Sequence, residues 1–334
     1  MSVPVSAAPG ALVDGRDRRI SYLRLSVTSR CDLRCRYCRP CGGRAGDEIP
    51  PAGDLPLDQL ALLAAVAAEL GIRKLRITGG EPLLRPGLLP FLADVARLPG
   101  LERLVLTTNG TRLARDAAAL RAAGVRGLNV SVDSLRPDRF RSITGGGDLT
   151  RVLDGVLAAE AAGLEVKLNV VLQRGVNDDE ILAFAAFVAG RSLCVRFIEF
   201  MPTGGVVVDP FLTVPGAEVL ARLRRTYTLE PRAGDALGGP ARTFDLAGAR
   251  GSVGVISAVS CGFCTSCNRI RVDASGRARG CLFAPDAVDL RPLLAARDRA
   301  GLAATLRRVV ATKPPDHGGR PQTGCRMSMH RIGG

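Results

Sequence analysis

Leu23-Arg24-Leu25-Ser26-Val27-Thr28 leads, after two residues, into Cys31-x3-Cys35-x2-Cys38. The first half alternates apolar and polar positions, the period of a half-buried strand. The cysteines therefore fall on a loop at the carboxyl end of a first β-strand. Three thiolates cannot fill the four iron corners of a cubane cluster, so one iron is left open, which suits chemistry better than plain electron transfer. Structural zinc is the competing reading. It takes four ligands in two close pairs, and Cys264 with Cys267 offers a distant second pair. Three cysteines crowded on one short loop, with Tyr37 between two of them, favour the cluster. Disulfides fit less well. The first twenty residues lack a continuous apolar stretch and end in Arg16-Asp17-Arg18-Arg19, unlike a secretory signal, and ten cysteines in a cytosolic chain point to metal first.

Working outward, short β-like runs alternate with Ala/Leu-rich helical segments from Tyr22 to about Phe200. The pattern predicts strands over 22–27, 74–78, 101–107, 127–132, 165–171 and 193–200. Helices are predicted over 57–70, 88–98, 111–122, 150–162 and 178–189. Six strands with intervening helices imply an α/β fold with a parallel sheet and right-handed crossovers, satisfied by an open barrel or a doubly wound sheet. Polar residues recur at strand ends: Thr107-Thr108-Asn109-Gly110, Ser131-Val132-Asp133 and Glu199-Phe200-Met201. Each alone could be a turn or cap, but the carboxyl ends of barrel strands carry chemistry, and recurrence points there. After Met201-Pro202-Thr203-Gly204-Gly205 shorter strands follow near 227–230, 242–246 and 251–256, then helices over 290–296 and 301–311. The expected organisation is a disordered 1–19, a barrel over 20–205, a second module over 206–312, and a Gly/Pro-rich tail over 313–334.

Composition narrows the partners. The formal charge is +14 over 334 residues, which invites a polyanion. Lysine occurs only at Lys74, Lys167 and Lys313, so arginine supplies the rest of the 46 basic residues. With no Trp and three Tyr, platforms for stacking bases are scarce, and a small polyanion fits better than nucleic acid. The longest apolar run, near 60–70, is too short to span a bilayer, so no membrane partner and a cytoplasmic location are expected. A second triad, Cys264-x2-Cys267-x13-Cys281, encloses Asn268-Arg269-Ile270-Arg271-Val272. That strand presents both arginines on one face, and guanidinium forks bind phosphate bidentately.

The first triad, with Tyr37 before its last cysteine and Thr78-Gly79-Gly80-Glu81-Pro82 after the next strand, resembles the radical S-adenosylmethionine (SAM) superfamily. Two glycines let a ligand approach the backbone closely, and Glu81 with free carbonyls can hold an ammonium group, in the resemblance the amino group of SAM. The second triad, its Arg-x-Arg strand and the terminal Ile332-Gly333-Gly334 narrow the resemblance to the GTP 3′,8-cyclase family of molybdenum-cofactor biosynthesis. The resemblance implies a partial (β/α)6 TIM-like barrel with a C-terminal α+β extension carrying a second Fe–S cluster. It implies that Cys31, Cys35 and Cys38 hold one 4Fe–4S cluster and Cys264, Cys267 and Cys281 another. SAM would meet Tyr37, Gly80, Ser131 and Met201. GTP would meet Arg24, Lys74, Arg76, Thr107, Lys167, Arg196, Arg269 and Arg271. An electron donor such as flavodoxin or ferredoxin, a downstream cyclic pyranopterin monophosphate synthase, and a monomer or homodimer complete what it implies. Cys41 and Cys261 read as bystanders, Cys194 as a core thiol, and Cys325 has no assigned role. The two histidines, His317 and His330, both lie in the tail and support no histidine-based hydrolytic site.

Overall fold

The computed structural model describes residues 10–38, 53–201, 212–284, 286–316 and 329. β1 (Tyr22–Ser26), β2 (Lys74–Thr78), β3 (Arg103–Thr108), β4 (Gly127–Ser131), β5 (Glu165–Leu172) and β6 (Leu193–Glu199) lie side by side in chain order, each pair parallel. Their crossovers carry α1 (Leu57–Glu69), α2 (Leu88–Val95), α3 (Leu113–Ala122), α4 (Pro137–Thr144), α5 (Leu149–Ala161) and α6 (Ile181–Ala189). β5 shows why the layers form. Val166, Leu168, Val170 and Leu172 are buried while Lys167, Asn169 and Val171 are half-buried, so one face meets the helices and the other the concave side. The helices answer with apolar stripes, such as Leu60, Leu63, Ala64 and Ala67 on α1.

The second half of the chain contributes α7 (Gly216–Arg224), β7 (Leu229–Pro231), β8 (Arg242–Leu246), β9 (Ser252–Ile256), β10 (Arg269–Val272), β11 (Arg277–Arg279), β12 (Val288–Asp289), α8 (Arg291–Ala295) and α9 (Arg299–Ala311). It builds no separate layer. β9 adds to β6 and β10 to β1, both parallel. The described strands form one 12-stranded sheet in the order β12-β11-β10-β1-β2-β3-β4-β5-β6-β9-β8-β7. Antiparallel strands finish both ends, so the sheet is curled but not closed. One hydrophobic core runs from Leu12 to Val310 through both halves.

The described elements follow the expected pattern, with α4, α7, β11 and β12 added. Residues 10–19 do not match the expected disorder. Leu12 is 1% exposed, its N–H donates to the Leu70 carbonyl at 3.2 Å, and its carbonyl accepts from Ile20 at 2.8 Å. Burying Leu12 and Ile20 against α1 offsets the ordering entropy that the charged run 16–19 suggests would prevail. Residues 1–9 lie outside the described residues. No described helix is long and apolar enough to cross a membrane.

Candidate functional site

Side chains from β1, β2, β3, β4, β5, β6, β9 and β10 all line one cavity of about 280 Å3 on the concave face. Its rim holds Cys31, Cys35 and Cys38 on one side and Cys264, Cys267 and Cys281 on the other. Tyr37, Gly80, Ser131 and Met201 also line it, as do Arg24, Arg76, Thr107, Arg196, Arg269 and Arg271. A second hollow of about 350 Å3 behind β11 shares Gly280, Cys281 and Phe283 with it but none of the first triad.

Several neighbours seat the first cysteine loop, among them Asn109 and Thr111, which donate to the Asp32 carboxylate at 2.7 Å each. Arg34 and Arg36 donate backbone N–H groups to the Thr144 and Ile143 carbonyls at 2.9 and 3.1 Å, so α4 props the loop from outside. Asp54 accepts from the Ser29 N–H at 2.9 Å and the Thr28 hydroxyl at 2.6 Å. Tyr37 donates its hydroxyl to Asp133 at 2.8 Å. Burial pushes the Cys35 thiol well up, and Asp133, Cys38 and Cys31 push the same way, which places the three sulfurs close enough to repel as thiolates. An iron–sulfur cluster removes that repulsion, and three soft donors on one loop fit it. Among the described residues no group of three His, Cys, Asp or Glu is arranged to hold a single metal ion.

Around the second triad the balance reverses. Burial would raise Cys267, but the Arg269 and Lys313 charges outweigh it and hold the thiol at about 7. A thiolate near neutral pH is the form that binds metal.

Between the triads runs a row of cations. Arg24 on β1 stands in register with Arg271 on β10 and Arg76 on β2. Arg76 donates to the Thr107 hydroxyl at 3.1 Å and to the Tyr22 hydroxyl. Arg196 holds Asn169 Oδ1 with Nε at 3.0 Å and Nη2 at 2.6 Å. Burial and the Arg269 charge bring Arg271 down to about 10, and its buried Nη1 has no hydrogen-bond partner. A buried donor without a partner is costly, and an anionic ligand in the cavity would relieve it.

Lys74 and Lys167 do not line the cavity. Lys74 is 4% exposed and donates to the Leu237 carbonyl, while Arg103 pairs with Asp235. The connection between β7 and β8 thus closes the floor of the barrel, and its Gly239 and Pro240 reach the cavity. Lys167 pairs with Glu165 at 2.6 Å. Sequence reasoning did not single out this floor because a Gly/Pro-rich connection carries no periodic signal. It also passed over Asn129 and Asn169 as site residues, although the inward alternation on β4 and β5 marks both.

Three strand-end carboxylates turn out to be braces. Glu81, 0% exposed, accepts from the Leu83 N–H at 3.0 Å, the Thr108 hydroxyl at 2.8 Å and the Asn109 N–H at 2.7 Å. It does not line the cavity, and its described bonds join β2 to β3. Asp133 accepts from the Val171 N–H at 2.8 Å, joining β4 to β5. Glu199 accepts from the N–H groups of Gly216, Val259 and Ser260 at 2.8, 2.7 and 2.8 Å, joining β6 to the approach to Cys264. Cys194 is a buried core thiol and Cys261 is exposed. Cys41, Cys325, both histidines and the terminal Gly333-Gly334 lie outside the described residues.

The cation row also acts on Tyr22. Burial would raise its phenol, but Arg76, Arg24 and Lys74 bring it down to about 7. The chain has no Trp and three Tyr, so ultraviolet titration isolates the effect. Ligand-free protein should show a phenolate step near pH 7 that Tyr22→Phe removes; steps only at the ordinary value, about 10, would contradict it. The folded value lies below the unfolded one, so this group adds stability as pH rises from about 7 towards about 10.

Comparison with known proteins agrees with this geometry. Residues 25–188 match the model of the Radical SAM superfamily, and residues 193–319 match that of Molybdenum Cofactor Synthesis C. The GTP 3′,8-cyclase of Geobacter sulfurreducens is 49% identical over 97% of this chain and 99% of its own. That of Moorella thermoacetica is 45% identical over 96% and 99%. The chain belongs to the GTP 3′,8-cyclase family. SAM and an iron–sulfur cluster are cofactors of the superfamily that contains it. Streptococcus suis SuiB bound to S-adenosylmethionine shares the fold, with a TM-score of 0.58 and 12% identity over 87% of this chain and 69% of that one.

Proposed function

We propose that this chain converts GTP to (8S)-3′,8-cyclo-7,8-dihydroguanosine 5′-triphosphate, the first step of molybdenum-cofactor biosynthesis. The observation that carries the reading is a single cavity bounded by two cysteine triads with a row of arginines between them. Cys31, Cys35 and Cys38 would hold the 4Fe–4S cluster that binds SAM, and Cys264, Cys267 and Cys281 a second 4Fe–4S cluster facing the guanine. When bound, the first cluster, once reduced, and SAM would supply a 5′-deoxyadenosyl radical able to take hydrogen from C3′ of the ribose; closing C3′ onto C8 turns the C8–N7 double bond into a single bond and takes up one further electron and one proton to give the dihydro product.

The chain's own part is placement. Gly80, Ser131, Met201 and Tyr37 frame the SAM side of the cavity. Arg24, Arg76, Arg196, Arg269 and Arg271 meet the triphosphate and the base, with Thr107 oriented by Arg76. Fixed cations hold a polyanion without reorganising, and substrate and SAM filling the cavity would keep water from the radical. Lys74 and Lys167 join the phosphate contacts if the floor at Leu237 yields. The electron comes from a carrier such as flavodoxin or ferredoxin, and the product goes to the synthase that makes cyclic pyranopterin monophosphate.

Reduced protein incubated with SAM and each ribonucleoside triphosphate tests the reading. 5′-Deoxyadenosine should form in a GTP-dependent way, and equal turnover with ATP would refute the substrate. Metal analysis after anaerobic preparation should give about eight irons per chain with little zinc.

A further inference from the structure

Arg18 lies outside the cavity, buried, and its guanidinium ties together stretches of chain that the sheet does not join. Nε donates to Asp14 Oδ2 at 2.5 Å. Nη1 donates to the Cys264 carbonyl at 2.6 Å and the Pro315 carbonyl at 3.1 Å, and Nη2 to the Pro314 carbonyl at 2.7 Å. Asp14, itself 5% exposed, accepts the Arg16 and Arg18 backbone N–H groups on its other oxygen at 2.9 and 3.0 Å. The Asp14 carboxylate therefore aims the guanidinium, and the planar fork of donors reaches carbonyls that a lysine could satisfy only in part.

The Cys264 carbonyl is not an arbitrary acceptor. It also takes the Cys267 N–H at 3.1 Å, the bond that closes the single turn between those two cysteines. Lys313, next to the prolines that Arg18 holds, donates to the Arg269 carbonyl at 2.9 Å and to the Gly280 carbonyl. Arg269 sits two residues past Cys267, and Gly280 immediately precedes Cys281. Arg18 and Lys313 together thus fix the backbone at all three members of the second triad. Lys313 also lies against the Cys267 thiol, whereas Arg18 reaches in from the N-terminal segment and acts through main-chain carbonyls.

We propose that Arg18 is a positioning residue for the second cysteine triad: held by Asp14, it fixes the Cys264 turn and the 313–315 segment, and so sets where the group on that triad faces the substrate. This rests on the reading of that triad as a cluster site. The described hydrogen bonds of Arg18 reach Asp14, Cys264, Pro314 and Pro315, so the first triad should be indifferent to it.

The test uses full-length, anaerobically reconstituted protein carrying Arg18→Met, Arg18→Lys or Asp14→Asn. Electron paramagnetic resonance is recorded with and without GTP, alongside 5′-deoxyadenosine and cyclised product. For Arg18→Met the expected result is an unchanged first-cluster signal, background SAM cleavage without GTP equal to wild type, a lost GTP-induced change in the second-cluster signal, and product per 5′-deoxyadenosine lower on the order of 10- to 100-fold. Arg18→Lys should recover part of that ratio, and Asp14→Asn should show a smaller loss of the same kind. Arg18→Met matching wild type in ratio and GTP response overturns the proposal. So does loss of both cluster signals in Arg18→Met while Asp14→Asn behaves as wild type, because Arg18 would then serve general stability. Wild-type protein lacking a second-cluster signal or GTP dependence would instead defeat the functional reading beneath it.

Discussion

Gly80→Ala is expected to leave a folded protein that no longer assembles its first cluster or binds SAM. A methyl group at this position would lie 2.2 Å from the Arg30 carbonyl oxygen, 2.6 Å from its carbon and 2.9 Å from the Ser29 oxygen. All three are backbone atoms of the stretch leading into Cys31, so nothing nearby can rotate away. Gly79 is next to the same stretch, with a Cβ 2.7 Å from the Thr28 oxygen. The seam is stitched by Gly80 N–H to Thr28 at 2.8 Å and Glu81 N–H to Arg30 at 2.7 Å. Overpacking a core site typically costs about 1–3 kcal/mol. Here that cost falls on a loop held by hydrogen bonds rather than by a strand ladder, Asp32 to Asn109 and Thr111 at 2.7 Å each among them, and the loop gives way before the sheet does. Iron and sulfide per chain should fall by about half, with the second triad still loaded, and SAM binding by calorimetry should vanish. Gly79→Ala should be milder. Iron content and SAM affinity equal to wild type in Gly80→Ala would show that the seam can open without consequence.

The two glycines also show how far the sequence could be read. The strand-loop-strand pattern around Cys31 and Gly80 was legible because alternation and cysteine spacing are local. What the glycines touch was not legible: they make room for the cysteine loop, a contact between segments some fifty residues apart. The same division holds for the carboxylates. Glu81, Asp133 and Glu199 announce themselves as polar residues at strand ends, but only the register shows that they accept N–H groups from neighbouring strand ends. α4 was missed because it buries only Phe140, Ile143 and Thr144, too short a stripe to stand out, yet it supports the cysteine loop. β9 and β10 were foreseen as strands. Their pairing with β6 and β1, which carries the second triad to the opposite rim of the cavity, is long-range and leaves no periodic trace. Lys74 drew attention by scarcity. Its bond to the Leu237 carbonyl depends on a connection whose fold is set by Arg103 and Asp235, distant in sequence.

Arg24→Met should move stability and ligand binding in opposite directions. Arg24 is flanked in register by Arg271 and Arg76, and burial, then the Arg271 charge, hold its pKa well below the usual arginine value. In the ligand-free protein this row brings like charges together, an arrangement that an entering anion relieves. Methionine retains most of the aliphatic stem and removes one charge from the middle of the row. The ligand-free variant should therefore unfold at higher denaturant, by about 1–3 kcal/mol. GTP affinity should fall on the order of 10- to 100-fold, the worth of one charge-assisted hydrogen bond to phosphate. Because GTP binds only the folded state, wild type regains the advantage as nucleotide is added, and the two denaturation curves should cross. The Tyr22 phenol supplies an independent check: with Arg24 gone its step should move upward from about 7, and GTP should move it upward in wild type for the same reason, neutralised cations. A variant that is less stable without ligand, or that binds GTP as wild type does, would mean that the row is already balanced within the protein. Under the proposed function, cations gathered on neighbouring strands gain more from an entering triphosphate than from one another, and the opposed changes in stability and affinity are what that arrangement predicts.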